Sequence, residues 1–399
     1  MNHPSRACTP NFTAILCVVL FCGCVGPVAL CQQASAKSNS SSNSSRQQIL
    51  LAVAQGSRAL QQGDNAAAEK AFRQAWKLAP QSVEVLNDLA ISIARQGREG
   101  EAIALYEHAL RLKPGDPITR RNLAVAYFRA HRYKSALPLL EAFAMDTPTF
   151  QSLDLTGIDL FALDRYTQAS AYLERANQLQ PGDLPTLDIL GKAYWRARNY
   201  SGVTRVFDRI MAINPGSAEA HYMLGLAYDV MSREGDAYKE FQAALVADPT
   251  YPGIHSSLGF INWRLQKVPQ AESEFQQELK LYPNDPVSNY MMGKILRRQN
   301  EPARAIPYLQ AAVAVNPNYT SALLELGQCH IALNQPAQAV QPLQRATKVD
   351  PSLAQAHFVL GTAFSMLGRS AAAARERGIA GKLLAQQHAR NSGNVLRQQ

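Results

Sequence analysis

The sequence predicts an all-α solenoid of about ten helical hairpins, and three observations predict it. Nine prolines stand at Pro80, Pro114, Pro148, Pro181, Pro215, Pro249, Pro283, Pro317 and Pro351, spaced by 34 residues except for one gap of 33. With each proline at the thirty-second position of its unit, the eighth position is Gly or Ala throughout, and the twentieth is Ala everywhere but Val203. Apolar residues in the first half of the unit fall at the fourth, seventh, eighth and eleventh positions, which is one face of a helix. Leu187, Leu190, Gly191 and Tyr194 show that stripe. A fixed period of this size belongs to a stacked array, so two or three globular domains of roughly 150 residues are excluded for these 399 residues.

The first 36 residues read as a leader. Arg6 precedes an apolar run, FTAILCVVLFCGCVGPVAL over 12–30, and Ala34-Ser35-Ala36 offers the small residues that a signal peptidase accepts. This is the pattern of a secretory signal, which places the mature chain in the periplasm or cell envelope. Two alternatives stay open: an uncleaved membrane anchor, and a lipoprotein signal with the lipid on Cys24. Residues 37–48, KSNSSSNSSRQQ, are expected to form a polar linker with nothing to bury. Five of the six cysteines, Cys8, Cys17, Cys22, Cys24 and Cys31, lie in the leader. Only Cys329 is left for the body, so neither an internal disulfide nor a cysteine zinc site is expected there.

The units then run 49–82, 83–116, 117–149, 150–183, 184–217, 218–251, 252–285, 286–319, 320–353 and 354–387. The twenty-fourth position is large and apolar in nine of them, as in Phe72, Tyr106, Phe241 and Phe275. Small residues at a helix crossing let two backbones approach, and large ones in the opposed holes fill the space. Turn formers such as Gly63, Gly97, Asp164, Asn300, Asn334 and Gly368 separate the two halves. Proline stops the second helix, because it lacks an N–H and disfavours helical geometry in the residue before it. Residues 388–399 are expected to trail off as a disordered tail.

Period, Gly/Ala at eight, Ala at twenty, aromatic or Leu at twenty-four and terminal Pro together resemble the tetratricopeptide repeat family. The resemblance implies twenty helices wound into a right-handed superhelix, each hairpin stabilised by its neighbours. Several residues depart from the pattern. Gln55 and Thr156 replace a large apolar seventh residue, and Glu278, Phe143 and Ile210 replace a small twenty-seventh. Unit 117–149 is one residue short, which predicts a kink at Thr149–Phe150. The last unit lacks the Pro and has Arg377 in place of the aromatic.

No nucleotide-binding, hydrolase or metalloprotease motif is present, so no catalytic residue, cofactor or metal is expected. Cys329, beside His330, reads as a buried inert thiol. His221, His255 and His357 all stand at the fourth position, a packing site. What remains is the second stripe of each first helix, at positions two, five, nine and twelve. It lies two residues, or about 200°, from the packing stripe. In the resembled family this stripe lines a concave groove that holds segments of partner proteins.

Two ladders mark it as the expected site. Phe128, Phe161, Trp195 and Trp263 stand at position twelve, and Arg95, Arg129, Arg196, Arg264 and Arg298 at position thirteen. Tyr222, Phe260 and Tyr290 add aromatics, while Arg121, Lys192, Lys294 and Arg297 add charge. Aromatics give stiff contact area and Arg grips carboxylates. Arg264, Lys294, Arg297 and Arg298 have no acidic neighbour at groove positions, which points to a carboxylate-bearing protein or peptide as partner. The family's carboxylate clamp is not expected: Asn122 fits, but Ile91 stands where Asn is needed. A role in assembling a cell-envelope complex is expected, with presentation of substrates to a separate enzyme as the alternative. Nucleic acid is the disfavoured partner, because the net charge is only +9 and the leader directs export. A small-molecule substrate is not expected, and a membrane enters only through an N-terminal anchor or lipid.

Overall fold

The computed structural model describes residues 39–395, with side chains over 44–389. The expected leader, its five cysteines and residues 396–399 lie outside the described residues. The chain divides into two compact units, 1–206 and 207–399. The first contains α1 (Asn39–Gln61), α2 (Asn65–Leu78), α3 (Val83–Ala94), α4 (Glu99–Leu112), α5 (Pro117–Arg129), α6 (Tyr133–Asp146), α7 (Phe150–Ala162), α8 (Tyr166–Leu179) and α9 (Leu184–Arg196). The division falls within α10 (Tyr200–Ile213). The second contains α11 (Ala218–Val230), α12 (Glu234–Ala247), α13 (Ile254–Arg264), α14 (Val268–Leu281), α15 (Pro286–Arg298), α16 (Pro302–Val315), α17 (Thr320–Ala332), α18 (Pro336–Val349), α19 (Ala354–Met366) and α20 (Ser370–Val395). No strand occurs among the described residues. In both units each helix packs on the next, so the architecture is an all-α solenoid.

Local chemistry sets the ends of these helices. Ser82, Asp116, Asp183, Ser217 and Asp285 each accept the N–H three residues on, which satisfies one orphan donor of a first helix. The residue before each terminal proline leaves the helical region: Ala79 has φ −134° and ψ 67°, and Lys113 has φ −141° and ψ 86°. Between the two helices of every hairpin, the fifteenth residue takes a positive φ. Four of those residues, His131, Arg198, Ser232 and Gln266, are neither Gly, Asn nor Asp.

The core is a row of hairpin seams. Leu86, Leu89, Ile93, Tyr106 and Phe72 are buried in the first unit, and Phe241, Phe275, Leu309 and Leu343 in the second. The side chain of the twenty-fourth residue lies directly against the backbone of a glycine at the eighth. A Cβ on Gly225 would stand 2.6 Å from the Phe241 ring, and one on Gly259 2.8 Å from the Phe275 ring.

The departures from the repeat have local causes. The residue missing from 117–149 is taken from the loop, where only 147–149 join α6 to α7. Thr149 and Ser152 close that loop as a capping box. Thr156, buried in place of an apolar residue, donates its hydroxyl to Ser152 O at 2.6 Å and lies 3.2 Å from Leu140 O. Glu278 is fully buried and takes the N–H groups of Gly253 and Ser256 at the head of α13. At the two ends the structure differs from the expectation. Asn39–Gln48, read as linker, is the start of α1, since each residue added to a formed helix gains a bond. Without a terminal proline, α20 runs through the stretch read as tail to Val395.

Candidate partner-binding surface

The position-twelve aromatics are built into their own hairpins. Phe128 meets Tyr133 edge-on at 6.0 Å, Phe161 meets Tyr166 at 5.4 Å, and Trp195 meets Tyr200 at 5.5 Å. In these three the partner is the seventeenth residue, the first of the second helix, so the pair ties the two helices at the turn. The rings remain half-buried and reachable. Tyr133, Tyr166 and Tyr200 were not singled out in the sequence, although a Tyr five residues after each position-twelve ring repeats through three successive hairpins.

The arginine ladder bonds backwards along the array. Arg95 donates to Leu60 O at 3.2 Å, and Arg129 lies 3.8 Å from Glu99. Arg196 donates to the Tyr166 hydroxyl at 2.6 Å and lies over its ring at 4.9 Å. Arg264 pairs with Asp229 and, at 3.4 Å, with Glu234. Arg298 lies over the Trp263 ring at 4.8 Å. Every one reaches the twelfth or seventeenth residue of the preceding hairpin. This ladder is therefore an inter-hairpin staple, and only Arg298 uses a neutral ring in place of a polar or acidic group.

The basic run of the second unit is smaller than the sequence suggests. Arg264 is neutralised by Asp229 and Glu234, and Arg297 by Glu325 on α17. These carboxylates come from neighbouring hairpins at positions twelve, seventeen and six, which a count along groove positions of the same two units passes over. In the first unit Lys192 pairs with Asp188 at 2.7 Å, and Arg121 lies over Phe143 at 5.8 Å.

Of the basic run in the second unit, two cations are left. Lys294 Nζ stands 5.8 Å from the Trp263 ring centre and 5.5 Å from that of Tyr290, while Arg298 covers Trp263. Neither forms an ion pair among the described residues. Tyr290 in turn packs on Tyr319 at 5.0 Å, whose hydroxyl is held protonated far above its ordinary range by burial. Successive hairpins thus deliver one Trp, one Lys and one Arg to one place. Ring faces carry negative potential and hold the cations without cancelling their charge. Tyr222 and Phe260 serve packing instead: Tyr222 lies against Phe241 and Tyr251, and Phe260 meets Phe275 edge-on. Phe358, at position five of the last hairpin, is 55% exposed and was not singled out in the sequence.

The fourth-position histidines make a repeated bond of their own. His221, His255 and His357 each place Nδ1 2.7 Å from a Glu at position twenty-three of the same hairpin: Glu240, Glu274 and Glu376. His221 and His255 therefore turn into separate hairpins. Among the described residues no group of three or more His, Cys, Asp or Glu converges as metal ligands. Burial pushes the Cys329 thiol up to about 11, which keeps it protonated and poorly nucleophilic. No helix among the described residues is long and apolar enough to cross a membrane.

Two family models described as tetratricopeptide repeat match the sequence, one at 53–117 and 190–252, the other at 94–153 and 296–374. Together they cover more than half of the chain. It is a tetratricopeptide repeat (TPR) protein. The TPR fold is that of a protein–protein interaction scaffold. Among solved structures, the chain is similar to YrrB, described as a TPR protein with an unusual peptide-binding site. That match has 21% identity and a TM-score of 0.41, covering 46% of this chain and 97% of that one. A TPR protein from Parabacteroides merdae has 17% identity and a TM-score of 0.40, with 63% and 99% covered. PilF from Pseudomonas aeruginosa has 17% identity and a TM-score of 0.47, with 52% and 94% covered. The comparison with curated proteins finds no match.

Proposed function

We propose that this TPR protein is an exported, non-catalytic scaffold for a cell-envelope complex, and that a segment of its partner docks along the exposed stripe of the first helices with a carboxylate at the Trp263 cluster. The observation that carries this reading is the pair Lys294 and Arg298, two cations on one ring with no ion pair among the described residues. A partner carboxylate takes both, with the Trp263 and Tyr290 rings as walls that exclude water and strengthen the pairing. Arg264 and Arg297, already neutralised, do not contribute. Export is supported by the apolar stretch 12–30 and by Ala34-Ser35-Ala36 after it.

The test is selection from a displayed peptide library on the full chain. Peptides carrying Asp, Glu or a free C-terminal carboxylate are expected to be enriched, and Lys294→Ala with Arg298→Ala to lose them by about tenfold or more. Enrichment without acidic character, or equal binding by the double variant, removes the cluster as the site. N-terminal sequencing of protein from the producing cell tests export: a start at Lys37 is expected, and retention of residues 1–36 counts against cleavage.

A further inference from the structure

Helix α7 carries two carboxyl groups, half-buried Asp154 and fully buried Asp159, whose surroundings supply too few donors for ionised oxygens. The first is Asp154, at the fifth position of hairpin 150–183. Its Oδ1 lies 2.8 Å from the Thr186 hydroxyl, and the same hydroxyl lies 2.7 Å from Asp183 Oδ2. A hydroxyl carries one hydrogen, so it serves one carboxylate and turns a lone pair to the other.

An internal reference for this arrangement exists two hairpins earlier. Asn87, also at the fifth position, donates Nδ2–H to Thr119 Oγ1 at 2.6 Å, and Thr119 donates to Asp116 Oδ2 at 2.8 Å. Asp116 and Asp183 both cap the next first helix, and Thr119 and Thr186 both stand three residues after their Asp. In the earlier copy, amide, hydroxyl and carboxylate form an unbroken donor chain. In the later copy Asp154 stands where Asn87 does, so the chain is complete only when Asp154 itself carries a proton. Burial favours the same form: it pushes the Asp154 carboxyl up to about 6, helped by the Asp183 charge and opposed by the Thr186 hydroxyl.

The second group is Asp159, five residues on. It is fully buried and neither oxygen has a hydrogen-bond partner. Burial pushes its carboxyl up to about 7, with Glu141 on α6 adding to the shift. Tyr133, also on α6, feels the Asp159 charge. Arg165, ahead of α8, lies 4.0 Å from Glu141, and Asp159 has no ion pair among the described residues. Of the other charges on the packed helices, Glu174 pairs with Arg205, Arg175 lies over the Tyr172 ring, Asp188 pairs with Lys192, and Arg196 bonds the Tyr166 hydroxyl; Lys134 and Asp146 complete the set on α6.

We propose that the joint of α7 with α6 and α9 is a pH-responsive element, closed while Asp154 and Asp159 are protonated and loosened when they ionise. The sign follows from linkage. In an opened joint both groups titrate near about 3.9, so below that value protonation is the same in both states and has no effect. Above it, opening releases protons, and each unit of pH favours opening by up to about tenfold per group. The effect is complete once the closed joint has also ionised, so the window runs from about pH 4 to about pH 7.

Amide hydrogen exchange on the full chain tests this, read over 150–162 at about pH 5 and about pH 7.5 and corrected for intrinsic rates. The opening constant of α7 is expected to rise at least about tenfold at the higher pH. Asp154→Asn with Asp159→Asn is expected to abolish that rise. Asp154→Asn alone rebuilds the Asn87 arrangement, so it is expected to fold and to remove part of the rise. The reciprocal Asn87→Asp is expected to create a new pH dependence in α3. A wild-type α7 whose protection does not change, or a double variant that keeps the full change, overturns the proposal; so does an Asp154→Asn chain as responsive as the wild type, for the Asp154 half.

Discussion

The Glu278 carboxylate accepts the backbone N–H of Gly253 at 2.9 Å, reaching from the last turn of α14 to the head of α13. Its other oxygen takes the N–H of Ser256 at 3.3 Å. The helices α3, α5, α7, α9, α11 and α15 are capped by Ser, Asp or Thr, whereas α13 begins with Gly253, which has no side chain to offer. The orphan donors of that helix end are served by a residue of the neighbouring helix, which is why a buried Glu stands where the repeat has a small residue.

Replacing Glu278 by Ala, the residue most units carry there, is therefore expected to destabilise the second unit by about 2 kcal/mol, because two buried N–H groups lose their partner. Glu278→Gln keeps one acceptor oxygen and is expected to cost about half as much. Urea unfolding checks the order: wild type, Gln, Ala. An Ala variant as stable as wild type means that Glu278 only fills space.

Gly253 is held by a second constraint. It has φ +89°, and a Cβ there would stand 2.6 Å from the Tyr222 hydroxyl oxygen. Gly253→Ala is expected to cost about 2 kcal/mol, part from the left-handed backbone and part from that contact. Tyr222→Phe removes the hydroxyl, so the Ala substitution is expected to cost less in that background. A double-mutant cycle with no coupling shows that backbone strain alone opposes Ala.

The hairpin turns give a change in the opposite direction. Arg198, Ser232 and Gln266 take φ near +60° without the tolerance of Gly or Asn. Ser232→Gly and Gln266→Gly are each expected to raise stability by about 0.5 kcal/mol, the relief of left-handed strain less the added freedom of the unfolded chain. A pair of variants that lowers the unfolding midpoint shows that these side chains make bonds which offset the strain.

What the sequence made legible was whatever repeats. Period, seam glycines and the Ala and aromatic positions carry the hairpins, because each is a steric demand met at the same place in every unit. Pairings between units were legible only in part. The position-thirteen arginines were visible, but their partners sit in the preceding hairpin at positions twelve and seventeen, about 30 residues back, and vary among carbonyl, carboxylate, hydroxyl and ring. Glu278 stood out as an exception, yet its purpose depends on Gly253 in another helix. The two ends were misread because composition alone sets no limit on a helix that a packed hairpin has already started.

Arg264 and Arg298 look equivalent in sequence, one repeat apart at position thirteen, and the structure separates them. Arg264 is paired with Asp229, which is nearly buried, and with Glu234. Reversing its charge brings three carboxylates together across a hairpin interface. Arg264→Glu is expected to lower stability by about 1 kcal/mol, at the upper end for a partly exposed pair, with the loss reduced by salt. Arg298 faces the Trp263 ring and has no carboxylate partner among the described residues. Arg298→Glu is expected to leave the unfolding midpoint within about 0.5 kcal/mol of wild type, while abolishing selection of acidic peptides. Arg264→Glu, measured at a temperature where it is folded, is expected to keep that selection. If Arg298→Glu unfolds the chain as readily as Arg264→Glu, both arginines are staples and the Trp263 cluster has no charge to spare for a partner.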